Sequence, residues 1–195
     1  MTHHKRRGSL WRCFLLLLIP VMILFAGPVG QALAEAKDIC RSFAVQPKTF
    51  AKLKFVKSKR YDKKEFGVFI KFGARNQVLS IFKYDNGQTH ITDAFLQKML
   101  KSSQKSIEKS VTKRGDKIVS RSKPLVWKMG DVLFHGASYR VTYKKHKLSA
   151  NEYVGLSHNT ACMLKVRYTD ALKTKRGTSL KRYKSYTREA HELFE

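Results

Sequence analysis

The chain has 195 residues, with 40 Lys+Arg against 14 Asp+Glu and a formal net charge of +26. Hydrophobic residues make up 43% and charged residues 28%, which excludes a disordered tail, a collagen and a polytopic membrane protein. The length excludes more than one or two domains, and three cysteines exclude a disulfide-dense mini-scaffold.

The opening residues read as an address. Lys5, Arg6, Arg7 and Arg12 precede an almost unbroken apolar run from Cys13 to Phe25, with Pro20 inside it. A helix-breaking AGPVG follows, and then Gln31-Ala32-Leu33-Ala34. A basic end, an apolar middle and a small-x-small site are the three parts of a secretory signal. Residues 1–34 are therefore expected to be a signal peptide cut after Ala34. The rival reading is an uncleaved, membrane-anchored chain. The strongly apolar stretch Cys13–Ala26 is 14 residues long, short of the ~20 that a spanning helix needs. Cys13 precedes the apolar run, against a lipoprotein, and Gly8-Ser9 after the arginine pair speaks against a twin-arginine signal.

Cleavage would remove four basic residues and no acid, leaving 161 residues, a charge of +22 and no transmembrane span. The expected location is extracytoplasmic, either periplasmic or secreted. Two cysteines remain, Cys40 and Cys162. In an oxidising compartment such a pair is most simply a disulfide; two buried free thiols are the alternative. A bridge closing a loop of over a hundred residues has an upper worth of ~4–5 kcal/mol by loop entropy.

Along the mature chain, residues 35–65 read as a basic N-terminal arm in which Lys57 to Lys64 form a solvated loop. Residues 66–195 read as one domain. From Phe66 to Gly73 the apolar residues Phe66, Val68, Ile70 and Phe72 alternate, the period of a strand. Val78 to Tyr84 alternates likewise, and the short polar gap between the two predicts a hairpin. Asn86-Gly87 tolerates positive φ and stops the second strand.

Residues 93–111 are the clearest helix, with Thr92 or Asp93 as its cap. Phe95, Leu96, Met99, Leu100, Ser103 and Ile107 follow i, i+3, i+4 spacing, and Lys98, Lys101, Lys105 and Lys109 fall on the opposite side. Gly115 is its C-cap candidate. Strands follow at Lys117–Ser122 and at about Val132–Lys144, with Pro124 to Lys128 as a further edge piece. Asn151 to Ser157 and Thr160 to Thr169 read as a second hairpin; in the latter, Cys162, Leu164, Val166 and Tyr168 face one way and Met163, Lys165 and Arg167 the other. Leu180 to Phe194 has weak helical spacing. Strands adjacent in sequence imply antiparallel pairing and an α+β class. The expected fold is an antiparallel β-sheet of about six strands, covered by a long amphipathic helix and a C-terminal helix.

This order, carried by FGVFIKFGARNQVLSIFKYDNG, TDAFLQKMLKSSQKSIEKS, ASYRVTYKK and NEYVGLSHNTACMLKVRYTD, resembles the PsbP/Mog1-type sandwich. The last hairpin is similar to one in small exported bacterial proteins of uncharacterised type. The resemblance covers about residues 60–195 and rests on element order and hydrophobic rhythm. It implies a binding or assembly module and carries over no catalytic residue.

Catalytic motifs are missing from the sequence. His90, His135, His146, His158 and His191 make no metal-ligand spacing and read as surface or turn residues. There is no nucleophile elbow and no phosphate loop. The acids stand singly; a pair such as Asp131 with Glu152 is the arrangement a hydrolase of an envelope polymer would need. No cofactor is expected, and the chain does not read as an enzyme.

The basic surface is the outstanding feature. An anion-binding surface is expected from Lys98, Lys101, Lys105, Lys109, Lys144, Lys145, Lys147, Lys181, Arg182 and Lys184. A field of this sign attracts polyanions, and Tyr61, Tyr143, Tyr183 and Tyr186 are interleaved as candidate stacking platforms. Proteome-wide lysine bias produces the same charge with no partner. For an exported chain the expected partner is an anionic envelope surface or a partner protein, and nucleic acid is a poor native one. The expected function is an exported, non-enzymatic binding or assembly module; the alternatives are the hydrolase and a nucleic-acid-binding protein.

Overall fold

The structure, a computed structural model, describes residues 39–43, 46–145, 148–158, 161–171 and 175–194. The expected signal segment, Lys147 and the start of the basic arm lie outside the described residues. Nine strands form one antiparallel sheet: β1 (Thr49–Phe50), β2 (Leu53–Arg60), β3 (Val68–Ala74), β4 (Gln77–Tyr84), β5 (Lys117–Arg121), β6 (Leu125–Met129), β7 (Val132–Tyr143), β8 (Leu148–His158) and β9 (Met163–Asp170). The helices are α1 (Asp93–Lys113) and α2 (Arg176–Phe194). The spatial order is β1-β2-β3-β4-β9-β8-β7-β5, with β6 also paired to β7. The class is α+β, and the sheet has nine strands instead of about six. The added strands are β1 and β2, which lie in the expected arm and loop, and the separate edge piece β6. Only Leu53 of β2 is buried, so this edge strand has no apolar alternation to betray it.

Strand alternation sorts the core into two layers. Tyr153, Val166 and Tyr168 belong to one cluster with Tyr183 and Ala190 of α2. Val154, Leu156, Tyr139 and Val141 belong to the other with Leu96, Leu100, Ile107 and Val111 of α1. The Thr92 hydroxyl accepts the backbone N–H of Phe95 at 3.3 Å and caps α1. Gly115, at φ 70°, follows its end. Among the described residues no helix is long and apolar enough to cross a membrane.

The α2 layer is aromatic. Gly136 of β7 and Gly155 of β8 are direct partners, and a side chain on Gly155 would lie 2.2 Å from the Tyr183 hydroxyl and 3.1 Å from Trp127. The missing side chains make a notch in which both rings seat. Tyr183 stacks on Tyr153 at 5.0 Å, and Trp127 stacks on Phe134 at 5.4 Å.

Cys40 and Cys162 are joined by a disulfide, with Cα atoms 5.6 Å apart. Cys162 immediately precedes β9, so the bridge ties the arm to the sheet over a sequence separation of 122 residues.

Candidate functional site

The α1 layer does not cover its whole face of the sheet. α1 packs mainly against β8, β7 and β5 and meets β4 and β9 at Tyr84 and Met163, which leaves much of the β3-β4-β9 portion open. By alternation, Phe82 and Tyr84 of β4 and Lys165 and Arg167 of β9 face this opening. Lys165 is the direct partner of Phe82, so Phe82, Tyr84 and Lys165 lie side by side on the floor of a groove.

One wall is α1, which contributes Met99, Ser102, Ser103 and Ser106. The other is the segment between β2 and β3, with Tyr61 and Phe66. That wall is held by backbone. The Asn86 N–H donates to the Glu65 carbonyl at 2.9 Å, and the Tyr61 N–H donates to the Gly67 carbonyl at 3.0 Å. Gly67 is at φ 59°, and a side chain there would meet the Lys83 carbonyl at 2.0 Å and the Cys40 carbonyl at 2.7 Å. Only glycine combines that torsion with that approach. The Cys40 backbone, fixed by the disulfide, therefore lies behind the wall that carries Phe66.

The floor is cationic among aromatics. The Lys165 ammonium lies 4.5 Å from the Phe82 ring centre and 5.2 Å from that of Tyr84. Burial, and then the neighbouring Arg167 guanidinium, pull its pKa down from 10.5 to about 8. Lys165 makes no ion pair among the described residues. Arg167 has a distant one, with its Nη2 4.0 Å from Glu152 Oε2. Glu152 is buried and also accepts the Tyr143 hydroxyl; burial and that carboxylate raise the Tyr143 pKa. Tyr84 is 6% exposed, and its buried hydroxyl has no hydrogen-bond partner among the described residues. A desolvated cation is costly to bury, and an oxyanion bound in the groove would satisfy it.

The residues expected from the sequence are spread differently. Lys98, Lys101, Lys105 and Lys109 are all exposed on α1, away from its buried residues. Lys144 and Lys145 are exposed beyond the end of β7. Lys181, Arg182 and Lys184 belong to α2, on the opposite face of the sheet. Arg182 lies 3.4 Å from the buried carboxylate of Asp170, and the Lys184 ammonium sits 5.5 Å over the Trp127 ring. The nine described cations therefore do not converge on one site.

Other candidates meet different surroundings. Tyr183 is fully buried and Tyr143 is bonded to Glu152, so neither is a platform for bases. Glu152 is opposite Tyr139, while Asp131 adjoins the start of β7. At ~3.3 Å per residue, the two acids stand on the order of 25 Å apart along the strand, too far for a hydrolytic pair. His135 is not a surface residue: it is 6% exposed, because its strand β7 is flanked by β8 and β6. Its Nε2 is 3.7 Å from Asp93 Oδ1, and that of His158 is 3.5 Å from the same atom. Among the described residues no group of three or more His, Cys, Asp or Glu is placed to hold a metal ion.

The sequence reading placed Lys165 and Arg167 on one face of a strand but gave them no role. The signal that points to them is two cations at i, i+2 between apolar neighbours, on a strand whose other face is apolar from Leu164 to Tyr168. No protein-family model matches the chain, and no curated protein matches it.

Proposed function

We propose that the protein is an exported, non-enzymatic binding module whose groove receives an anionic ligand between Lys165, Arg167 and the serine hydroxyls of α1. The observation that carries this reading is the Lys165 ammonium, partly buried between two aromatic faces beside a second cation. Its lowered pKa marks desolvation that no carboxylate offsets, and a bound anion is what would offset it.

Export is supported by the apolar opening segment and by the Cys40–Cys162 disulfide, since such bridges persist in oxidising compartments. The order of hairpin, helix, meander and C-terminal helix supports kinship with the PsbP/Mog1-type fold. The exposed lysines of α1 add a general attraction toward an anionic envelope surface or an acidic partner protein, and the groove supplies the local recognition.

The test is a lysine-detected NMR titration at pH 8, where Lys165 is half-protonated. Inorganic phosphate is expected to move the Lys165 resonance toward the charged form and to raise its pKa. A resonance that does not respond, with a pKa unchanged at saturating phosphate, would overturn the reading. Intact-mass measurement of protein recovered from the cell envelope tests export. The expected species begins at residue 35 and is two hydrogen atoms lighter than the reduced form.

A further inference from the structure

We infer that the ligand of this groove is a two-part molecule, with a planar apolar body and an oxyanion head. This rests on the anion-binding reading above and deepens it. The groove consists of two adjoining cavities of about 230 Å³ each. They share Phe66, Tyr84 and Lys165, so the Lys165 side chain and the Tyr84 ring stand at the boundary between them.

The chambers differ in chemistry. The first adds Tyr61 and Phe82 to the shared residues, so apart from the boundary cation it is walled by rings alone. Phe82 is backed by Phe69 with centroids 4.8 Å apart, and Phe66 meets the edge of Tyr61 at 6.2 Å. Rings buttressed this way offer flat apolar faces, which favour a planar guest by offset or edge contact. The second chamber adds Asn86, Met99, Ser102, Ser103, Ser106 and Arg167. None of the three serine hydroxyls has a hydrogen-bond partner among the described residues, and no described acid lines either chamber. That chamber is rich in donors and positive, the chemistry of an oxyanion site.

Each chamber alone falls below the ~300 Å³ at which small-molecule sites begin, and the two together reach that range. A bare inorganic anion would fill the second chamber and leave the first holding water against rings. A neutral aromatic would fill the first and leave Lys165 unpaired. A molecule with both parts occupies both chambers with its head at the boundary cation. Carboxylate and phosphate heads share the chemistry the donors recognise, and the comparison below separates them.

The experiment is isothermal titration calorimetry of the oxidised protein at pH 7 with four probes: 2-naphthyl phosphate, 2-naphthoate, 2-naphthol and inorganic phosphate. At least one of the two naphthyl oxyanions is expected to bind at least about tenfold more tightly than both naphthol and phosphate, and the better of the two identifies the head. Phe66→Ala, at a position 46% exposed and so tolerant of truncation, is expected to weaken the naphthyl oxyanions and leave phosphate unchanged. Lys165→Met is expected to abolish phosphate binding and bring the naphthyl oxyanions down to the level of naphthol. Phosphate binding as tightly as both naphthyl oxyanions would overturn the two-part ligand and leave the anion site standing. Naphthol binding as tightly as the oxyanions, or no probe binding at all, would overturn both.

Discussion

On the α2 face of the sheet, Tyr153, Tyr168 and Tyr183 are 1% exposed or less, and Gly136 and Gly155 are cut away to seat their neighbours. On the α1 face, two cations of β9 stand in an open groove beside rings that have space in front of them. The strand β9 serves both faces: Leu164, Val166 and Tyr168 point into the closed layer, while Lys165 and Arg167 point into the open one. Burial is therefore decided by which element lies above each face. α2 packs on β8 and β9 with large aromatics, whereas α1 packs mainly on β8, β7 and β5 and meets β9 at Met163, leaving Lys165 and Arg167 partly exposed. The closed face carries stability and the half-open face holds the proposed site.

Truncation of the closed face gives the sharpest contrast. Tyr183→Ala removes a fully buried ring that stacks on Tyr153 and meets Trp127 edge-on at 5.8 Å. It is expected to lose about 3–5 kcal/mol in urea unfolding, whereas Phe66→Ala in the open groove is expected to lose less than about 1 kcal/mol. Equal losses at the two positions would abolish the distinction between the faces.

The disulfide links the two behaviours. Replacing both Cys40 and Cys162 by Ser is expected to cost about 2–4 kcal/mol, because a loop this long leaves much entropy to the unfolded chain. The loss is expected to fall unevenly. Cys40 packs behind Gly67, so amide exchange should quicken over residues 61–67 more than in α2. Uniform quickening across both would show that the bridge does not brace the groove wall.

Much of the fold can be read from the chain. The hairpin of β3 and β4 shows in alternation at Val68, Ile70 and Phe72 answered by Leu79 and Ile81. Thr92 marks the start of α1, and the odd–even rhythm of residues 163–168 separates the two faces of β9. The hairpin of β1 and β2 is invisible for physical reasons. Its turn uses Ala51 and Lys52 at φ 50° and 66° in place of the Asn or Gly that such torsions favour, and β2 is a lysine-coated edge of the kind that discourages pairing with other chains. The groove is harder still. Its residues come from four segments between Tyr61 and Arg167, and only sheet order brings Phe82 beside Lys165. The exposed lysines are conspicuous in the sequence because they are numerous, whereas Lys165 matters because of its neighbours.

The pH dependence of stability tests whether the groove cation is desolvated. In the unfolded chain Lys165 titrates near its ordinary 10.5, and in the fold near about 8. Below pH 8 both states hold the proton and the burial penalty is constant. Between those values the unfolded chain binds a proton that the folded chain has released, so stability rises with pH. The gain attributable to Lys165 is expected to be on the order of 1–3 kcal/mol and to be absent in Lys165→Met. The rise should turn over above pH 10, because burial raises the pKa of tyrosines such as Tyr168 and Tyr183, and the unfolded chain then ionises first. Parallel stability curves for wild type and Lys165→Met between pH 8 and 10 would mean that the ammonium is solvated and the groove is not a site of unmet charge.

The smallest expected effect on stability belongs to the most conspicuous charges. Changing Lys98, Lys101, Lys105 and Lys109 together to Gln alters a fully exposed stripe on α1 and touches neither layer of the core. Each site is expected to shift stability by less than about 0.5 kcal/mol, with the sign favouring the variant at low salt because like charges three and four residues apart repel on a helix. Retention on vesicles containing anionic lipid should respond far more, since each lysine near such a surface contributes about 1 kcal/mol and that contribution fades as salt screens it. The groove should be indifferent to the change, because Ser102, Ser103 and Ser106 remain in place and Lys165 keeps its aromatic neighbours. Loss of vesicle retention with phosphate binding in the groove intact would separate a diffuse attraction from a local site. Loss of both together would place the ligand on the outer face of α1, and the contrast between the two faces of the sheet would then describe stability alone.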